Sequence, residues 1–69
     1  MRVKNTTELG SEIRKKRKSM GYTQSDISDR TGLSKSFISE VENGKETAEL
    51  GKVLFLLSVL GLNILVEER

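Results

Sequence analysis

The chain is 69 residues long, with 12 basic and 10 acidic side chains and a formal net charge of +2. This length is enough for one small domain and leaves no room for a catalytic cleft on a supporting scaffold. The sequence has no cysteine and no histidine, which excludes disulfides and removes the ligands of nearly all zinc sites. Most nucleophile–base pairs are excluded for the same reason. We therefore expect no enzyme, no catalytic residue, no metal site, no cofactor and no small-molecule ligand.

The basic side chains are concentrated near the N-terminus. Residues 1–18 contain seven basic and two acidic residues, whereas residues 19–69 contain five basic and eight acidic ones. This separation of charge is suited to a protein that binds a polyanion through its basic side. The alternative is that the basic helix is only exposed to solvent. The longest apolar run, Val53–Leu57, is too short for a membrane span, so we expect a cytoplasmic protein with no membrane partner.

Residues 1–6 are predicted to form a flexible N-terminal arm. Arg2 and Lys4 could reach a phosphate or a minor groove from this arm, unless the terminus is simply disordered. The first helix is predicted from about Thr7 to Met20, and Gly21 ends it. Its apolar residues recur at helical spacing at Leu9, Ile13 and Met20.

Arg17 lies on the apolar stripe of this first helix, four residues after Ile13. A guanidinium that faces the core needs a carboxylate partner, because an unpaired buried charge is very costly. Glu42 flanks the buried stripe of a later helix and is the candidate partner. The sequence therefore predicts a structural ion pair between Arg17 and Glu42.

Residues 23–44 have the pattern of two short helices joined by a tight turn. Thr23 is a candidate N-cap, with Asp26 in capping-box position, and Ser34 can cap the second helix. A helix-turn-helix requires a small residue within the first helix, glycine at the turn and apolar residues around it. These requirements are met by Ser28, Gly32, Leu33, Ile38 and Val41. The alternative is an ordinary αα-hairpin in a small bundle.

The outer face of the second helix of this motif is polar and has no aliphatic or aromatic anchor for a protein partner. Such a surface suits the major groove of DNA, where base edges offer donors and acceptors. The predicted base-reading residues are Lys35, Ser36, Ser39 and Glu40. The predicted phosphate-binding residues are Thr23, Gln24, Asn43 and Lys45.

A further helix is predicted from Thr47, as N-cap, to Leu60, with Gly61 ending it. Its expected buried stripe consists of Leu50, Val53, Leu54, Leu57 and Leu60 or Gly61. Phe55, Leu56 and Val59 lie off that stripe, which indicates a protein interface or, alternatively, one wide buried face of a small bundle.

Residues 62–66 are rich in branched aliphatic side chains and are predicted to form a strand, with residues 67–69 as a charged tail. No other segment of the chain resembles a strand, so this one is expected to pair with a second copy across a twofold axis. The predicted homodimer interface consists of Phe55, Leu56, Val59, Leu62, Ile64, Leu65 and Val66.

The segment GYTQSDISDRTGLSKSFISEVENGK resembles the DNA-binding unit of the lambda-repressor and Cro-like family of bacterial regulators. The resemblance spans roughly residues 7–60. It implies that Gln24 contacts a phosphate and that Lys35, Ser36 and Glu40 face base edges. It also implies that Asn43 and Lys45 hold phosphates, and that Arg17 pairs with Glu42 as in many members.

The segment GKETAELGKVLFLLSVLGLNILVEER is similar to the C-terminal half of HipB-type antitoxins, although many relatives have proline where this chain has Glu46. This similarity implies a partnership with a HipA-type kinase toxin encoded in the same operon. Together these features predict an all-α, compact four- to five-helix lambda-repressor-like domain in residues 7–61, with residues 62–69 pairing across a homodimer.

The predicted function is that of a repressor of an inverted-repeat operator on double-stranded DNA, acting as antitoxin and autoregulator. The alternatives are a stand-alone phage or bacterial regulator of the same fold, or a protein-binding adaptor that does not bind DNA. The adaptor would tolerate changes at Ser36 and Ser39.

Overall fold

Four helices and their connecting turns make up most of the computed structural model, which describes residues 2–69. They are α1 (Thr6–Ser19), α2 (Gln24–Thr31), α3 (Lys35–Glu42) and α4 (Leu50–Val59). Helix α3 packs against both α1 and α2. The all-helical fold class is confirmed. Met1, part of the predicted arm, lies outside the described residues.

Helix α1 begins one residue earlier and ends one residue earlier than predicted. Asn5 is its N-cap, because the Asn5 side chain accepts a hydrogen bond from the backbone N–H of Glu8 at 2.8 Å. Gly21 follows the helix with a φ of +76°, a left-handed conformation that glycine adopts without strain. Met20 was predicted on the apolar stripe but is exposed, because the helix has already ended there.

The helix-turn-helix is built by local hydrogen bonds that the sequence pattern had indicated. Thr23 and Asp26 form a reciprocal capping box, with distances of 2.8 and 3.0 Å. The hydrogen bond that the backbone N–H of Thr23 donates to the Asp26 carboxylate is the main cause that lowers the pKa of Asp26 below its ordinary value. Ser34 caps α3, and the turn is closed by the Ser28 hydroxyl, which donates to the carbonyl oxygen of Leu33 at 2.7 Å.

One small hydrophobic core holds the four helices together. Each of α1, α2 and α3 contributes one completely buried isoleucine, at positions 13, 27 and 38. The region of α4 contributes most of the remaining core. The buried apolar residues are Ile13, Ile27, Ile38, Val41, Val53, Leu56, Leu57 and Leu60. Burial of these side chains, rather than the intrinsic stability of two eight-residue helices, stabilises the motif.

Helix α4 differs from the prediction in both its start and its phase. It begins at Leu50 with Glu49 as N-cap, so the prediction that Thr47 caps it is wrong. Leu50 and Leu54, predicted as buried, are 66% and 45% exposed.

The buried stripe is instead Val53, Leu56, Leu57 and Leu60, which has the same i, i+3, i+4, i+7 spacing. Leu56 is therefore a core residue, and its assignment to the dimer interface is wrong. Phe55 and Val59 remain exposed. The helix is apolar on several sides, so only its packing on the rest of the domain selects the buried side.

Residues 62–69, predicted to contain a strand, have no regular secondary structure in the isolated chain. Leu62 is half-buried against the chain's own core, and its backbone N–H donates to the carbonyl oxygen of Leu57 at 2.9 Å. Ile64, Leu65 and Val66 are exposed. Pairing of this segment requires a second copy, so it stays a prediction. None of the helices described within residues 2–69 combines the length and apolarity needed to cross a bilayer.

Candidate nucleic-acid interface

The outer face of α3 and the start of α2 together form a shallow concave surface. It is lined by Gln24, Lys35, Ser36, Ser39 and Glu40. The structure thus places all four predicted base-reading residues on one face, beside one predicted phosphate-binding residue. Every lining side chain is polar or charged, so this surface offers hydrogen-bond donors and acceptors.

Glu40 on this surface pairs with Lys45, which the sequence analysis did not anticipate. Lys45 Nζ lies 2.6 Å from Glu40 Oε2, and the backbone N–H of Lys45 donates to the carbonyl oxygen of Glu40 at 3.0 Å. Both side chains are close to half exposed, so the pair contributes little stability. Its consequence is local, because the ammonium offsets a carboxylate that would otherwise repel a nearby phosphate.

Gln24 occupies the first position of α2, and its side-chain amide faces Glu42. Gln24 Nε2 donates to Glu42 Oε1 at 3.2 Å. A primary amide carries two N–H groups, so one donor remains for another partner. This contact could not be predicted from the sequence, because Gln24 and Glu42 lie 18 residues apart and only the packing of α2 on α3 brings them together.

Beneath this surface, Arg17 and Glu42 form a bidentate ion pair. Arg17 Nε lies 2.7 Å from Glu42 Oε2, and Arg17 Nη2 lies 3.0 Å from Glu42 Oε1. The two side chains are only 8% and 2% exposed. The hydrogen bonds to Glu42 raise the pKa of Arg17 above its ordinary value, against the opposing effect of burial. The pair joins α1 to the end of α3 and carries no net charge.

The remaining predicted phosphate-binding residues lie at the two ends of the motif. Thr23 is exposed, and its hydroxyl oxygen accepts the capping hydrogen bond at the start of α2. Asn43 follows α3, and its side-chain nitrogen lies 3.5 Å from Ser39 Oγ. The eight-residue length of α3 separates the Lys35 end from the Asn43 end by about 12 Å. Thr23 directly precedes Gln24 and Asn43 directly follows Glu42, so both residues adjoin the contact between Gln24 and Glu42.

Within residues 2–69, no group of three or more Asp and Glu side chains is placed to hold a metal ion. The polar surface of α3, held by a capped α2, a glycine turn and a buried ion pair, defines a DNA-binding helix-turn-helix transcription regulator. The chain belongs to the helix-turn-helix family HTH_3, of the Cro and lambda-repressor type, whose model matches residues 13–66.

Individual relatives agree with this assignment. The chain is 36% identical over 63 residues to y4mF, an uncharacterized HTH-type transcriptional regulator of Sinorhizobium fredii (strain NBRC 101917 / NGR234). The match covers 91% of this chain and 83% of that protein.

Solved structures of HipB have the same fold. The chain superposes on HipB from a HipB-O1-O2 complex with a TM-score of 0.88 at 24% identity, and 99% of each chain is covered. HipB from a HipA-HipB-O2-O3 complex gives a TM-score of 0.87 at 24% identity, covering 99% of this chain and 96% of that one. At this level of identity the likeness establishes the shared fold.

Proposed function

We propose that this regulator is a sequence-specific repressor that binds an inverted-repeat operator as a homodimer. The observation that carries the proposal is the concave, entirely polar surface formed by α3 and the first residue of α2. A B-DNA major groove admits one α-helix, and α3 presents these side chains on its outer face. The solved HipB complex with a 20mer, which has a TM-score of 0.87 to this chain, supports the same use of the fold.

Base reading is assigned to the side chains of α3 on this surface. The Lys35 ammonium can donate to O6 and N7 of guanine, and the hydroxyls of Ser36 and Ser39 can donate or accept. Glu40 can accept from N4 of cytosine, and its pairing with Lys45 reduces repulsion by the backbone. Phosphate binding is assigned to Thr23 and Gln24 at the start of α2 and to Asn43 and Lys45 after α3.

Dimerisation is assigned to the C-terminal segment together with the exposed apolar residues of α4. Leu65 and Val66 are 75% and 94% exposed, an unusual state for a run of aliphatic side chains. Antiparallel pairing of residues 62–66 with a second copy would give hydrogen-bond partners to the backbone groups of the segment that follows Leu62. The other exposed apolar contributors are Phe55, Val59 and Ile64. Two reading helices of such a dimer would enter successive major grooves, with half-site centres about 34 Å apart.

An antitoxin role with a HipA-like kinase as partner is the narrower form of this proposal. It is supported by the similarity of the fold to HipB in a HipA-HipB-O2-O3 complex. Co-expression with the product of the neighbouring reading frame tests it, because a HipA-like partner is expected to co-purify with the chain. A neighbouring gene that encodes no kinase-like protein would favour the stand-alone regulator.

Two alanine variants distinguish base reading from phosphate binding. We expect Lys35→Ala to change the base preference at one position of each half-site, since one base contact is worth about 1–3 kcal/mol of discrimination. We expect Gln24→Ala to weaken binding to all duplexes alike, because phosphate contacts carry no sequence information. In vitro selection of binding sites, followed by titration of the selected duplex and an unrelated one, measures both effects.

Lys52→Ala is the matched control for Lys35→Ala. It removes the same charge from α4, where Lys52 Nζ lies 3.2 Å from Glu49 Oε2 and 5.8 Å from the centre of the Phe37 ring. This control should leave the selected sequence unchanged. A Lys35→Ala profile identical to that of the parent would contradict the base-reading assignment, and a parent that binds no duplex would contradict the repressor function itself.

Shortening the C-terminus tests the dimer. Ending the chain after Asn63 removes the exposed aliphatic residues but keeps Leu62, which packs on the core. We expect this truncated chain to sediment as a folded monomer and to lose the cooperative binding of two half-sites. Ending the chain after Val66 removes only the charged tail and should leave the dimer intact. If the chain that ends after Asn63 still forms a dimer of unchanged affinity, another surface mediates association.

A further inference from the structure

The carboxylate of Glu42 connects the ion pair in the core to the DNA-facing surface. It accepts hydrogen bonds from Arg17 Nε at 2.7 Å, from Arg17 Nη2 at 3.0 Å and from Gln24 Nε2 at 3.2 Å. Gln24 also lines the concave surface of α3. One almost completely buried side chain therefore holds both the guanidinium of α1 and the first side chain of α2.

The same guanidinium also holds the backbone just before α2. Arg17 Nη1 donates to the carbonyl oxygen of Tyr22 at 2.7 Å. Tyr22 lies two residues before Gln24, so the chain segment that leads into α2 is fixed by the same ion pair. Within residues 2–69, no buried side-chain nitrogen or oxygen lacks a hydrogen-bond partner.

We propose that Glu42 is a positioning residue for DNA binding, which orients the amide of Gln24 so that one of its N–H groups is available to a phosphate oxygen. This inference rests on the proposed function and deepens it. Arg17 has a second task in this arrangement: it neutralises Glu42, whose charge would otherwise repel the phosphate that Gln24 binds.

The physical reason is the asymmetry of the amide group. A glutamine amide that turns about its last bond presents either two donors or one acceptor to its surroundings, and only the donor side can bind a phosphate. Because Glu42 accepts only from the nitrogen, it selects the orientation in which Nε2 faces the core carboxylate, and the second N–H of that nitrogen then points away from Glu42 and is left for another acceptor. A side chain that is already fixed in the free protein loses no conformational entropy when the complex forms. This saving corresponds to an affinity about 2- to 10-fold higher.

The test replaces the ion pair without leaving a buried charge. In the double variant Arg17→Met/Glu42→Met, both side chains become apolar and of similar length, and the net charge of the protein is unchanged. Such replacements of buried ion pairs by apolar residues are often neutral or stabilising, so the variant is expected to fold. Circular dichroism and sedimentation establish that it is a folded dimer before its affinity is measured.

Affinity is measured by fluorescence anisotropy on two duplexes, one obtained by in vitro selection with the parent and one unrelated. The double variant is expected to bind both about 2- to 10-fold more weakly than the parent. Adding Gln24→Ala to the double variant is expected to bring the total loss to that of Gln24→Ala alone and no further, because the orientation of the amide matters only while the amide is present. In the parent background, Gln24→Ala alone should weaken binding by about 10-fold or more.

Two outcomes would overturn the inference while leaving the proposed function in place. The first is a double variant that binds like the parent although Gln24→Ala weakens binding. The second is a set of losses that add fully in the triple variant. By contrast, a parent that binds neither duplex would remove the repressor function and this inference with it.

A second measurement uses the parent protein and does not depend on any variant folding. Gln24 is the single glutamine of the chain, so its side-chain amide gives a distinct signal in nitrogen-15 NMR spectra. We expect this amide in the free protein to have an order parameter close to that of rigid backbone, about 0.85. A value below about 0.6, typical of a flexible side chain, would show that Glu42 does not hold it.

Discussion

Replacing Arg17 with alanine is expected to lower the free energy of unfolding by about 3–5 kcal/mol, because it leaves the carboxylate of Glu42 buried without its partner. The substitution also removes the hydrogen bond that Arg17 Nη1 donates to the carbonyl oxygen of Tyr22. A domain of 69 residues has a total stability of roughly 3–10 kcal/mol. The expected loss is therefore about a third of the total stability or more. Urea unfolding followed by circular dichroism, at fixed protein concentration, measures the change.

Lys15→Ala is the matched control for this prediction. It removes the same charge from the same helix, but Lys15 lies on the surface, with its Nζ 3.7 Å from Glu12 Oε1 and its side chain 72% exposed. An exposed pair of this kind contributes about 0–1 kcal/mol. Equal destabilisation by the two alanine variants would mean that burial adds nothing to the Arg17–Glu42 pair.

Replacing Gly10 with alanine is expected to cost about 2–3 kcal/mol, although alanine is the better helix former by about 1 kcal/mol. Gly10 lies within α1 and is buried where this helix crosses the end of α3. A Cβ atom there would lie 2.6 Å from the carbonyl oxygen of Glu42, and closer still to that of Val41. Backbone atoms cannot move away as a side chain can, so α1 and α3 would have to separate.

Gly51→Ala makes the same chemical change with the opposite expected sign. Gly51 is in α4, and within residues 2–69 an added Cβ there would have no heavy atom within 4 Å other than those of its chain neighbours and of the backbone of its own helix. This variant should gain about 1 kcal/mol from helix propensity alone. Thermal unfolding of both variants gives the comparison. A Gly10→Ala protein as stable as the parent would show that the two helices have room to adjust.

Both predictions concern the contact between α1 and the end of α3, which also supports the start of α2. The ion pair, the glycine contact and the Gln24 hydrogen bond all converge on Val41 and Glu42. For this reason, variants that disturb the crossing should reduce DNA affinity as well as stability. Affinities are therefore compared only under conditions in which each variant is folded.

Local chemistry in the sequence was enough to predict the helix-turn-helix and its caps. The Thr23 and Asp26 capping box, the Ser34 cap and the left-handed Gly32 depend on residues within one turn of each other, so the spacing alone determines them. The partnership of Arg17 with Glu42 could be predicted for a different reason. A charge on an apolar stripe must be paired, and few carboxylates flank a buried face.

What the sequence did not determine is the result of packing between segments far apart in the chain. The phase of α4 was misjudged because two stripes of leucine and valine share the same spacing, and only contact with the other helices selects Leu56 for the core. The tightness of the crossing at Gly10, and the contact of Gln24 with Glu42, likewise depend on distances between helices. Spacing along the chain specifies which residues share a face. Which face is buried, and how closely two backbones approach, is decided only when the helices compete for one small core.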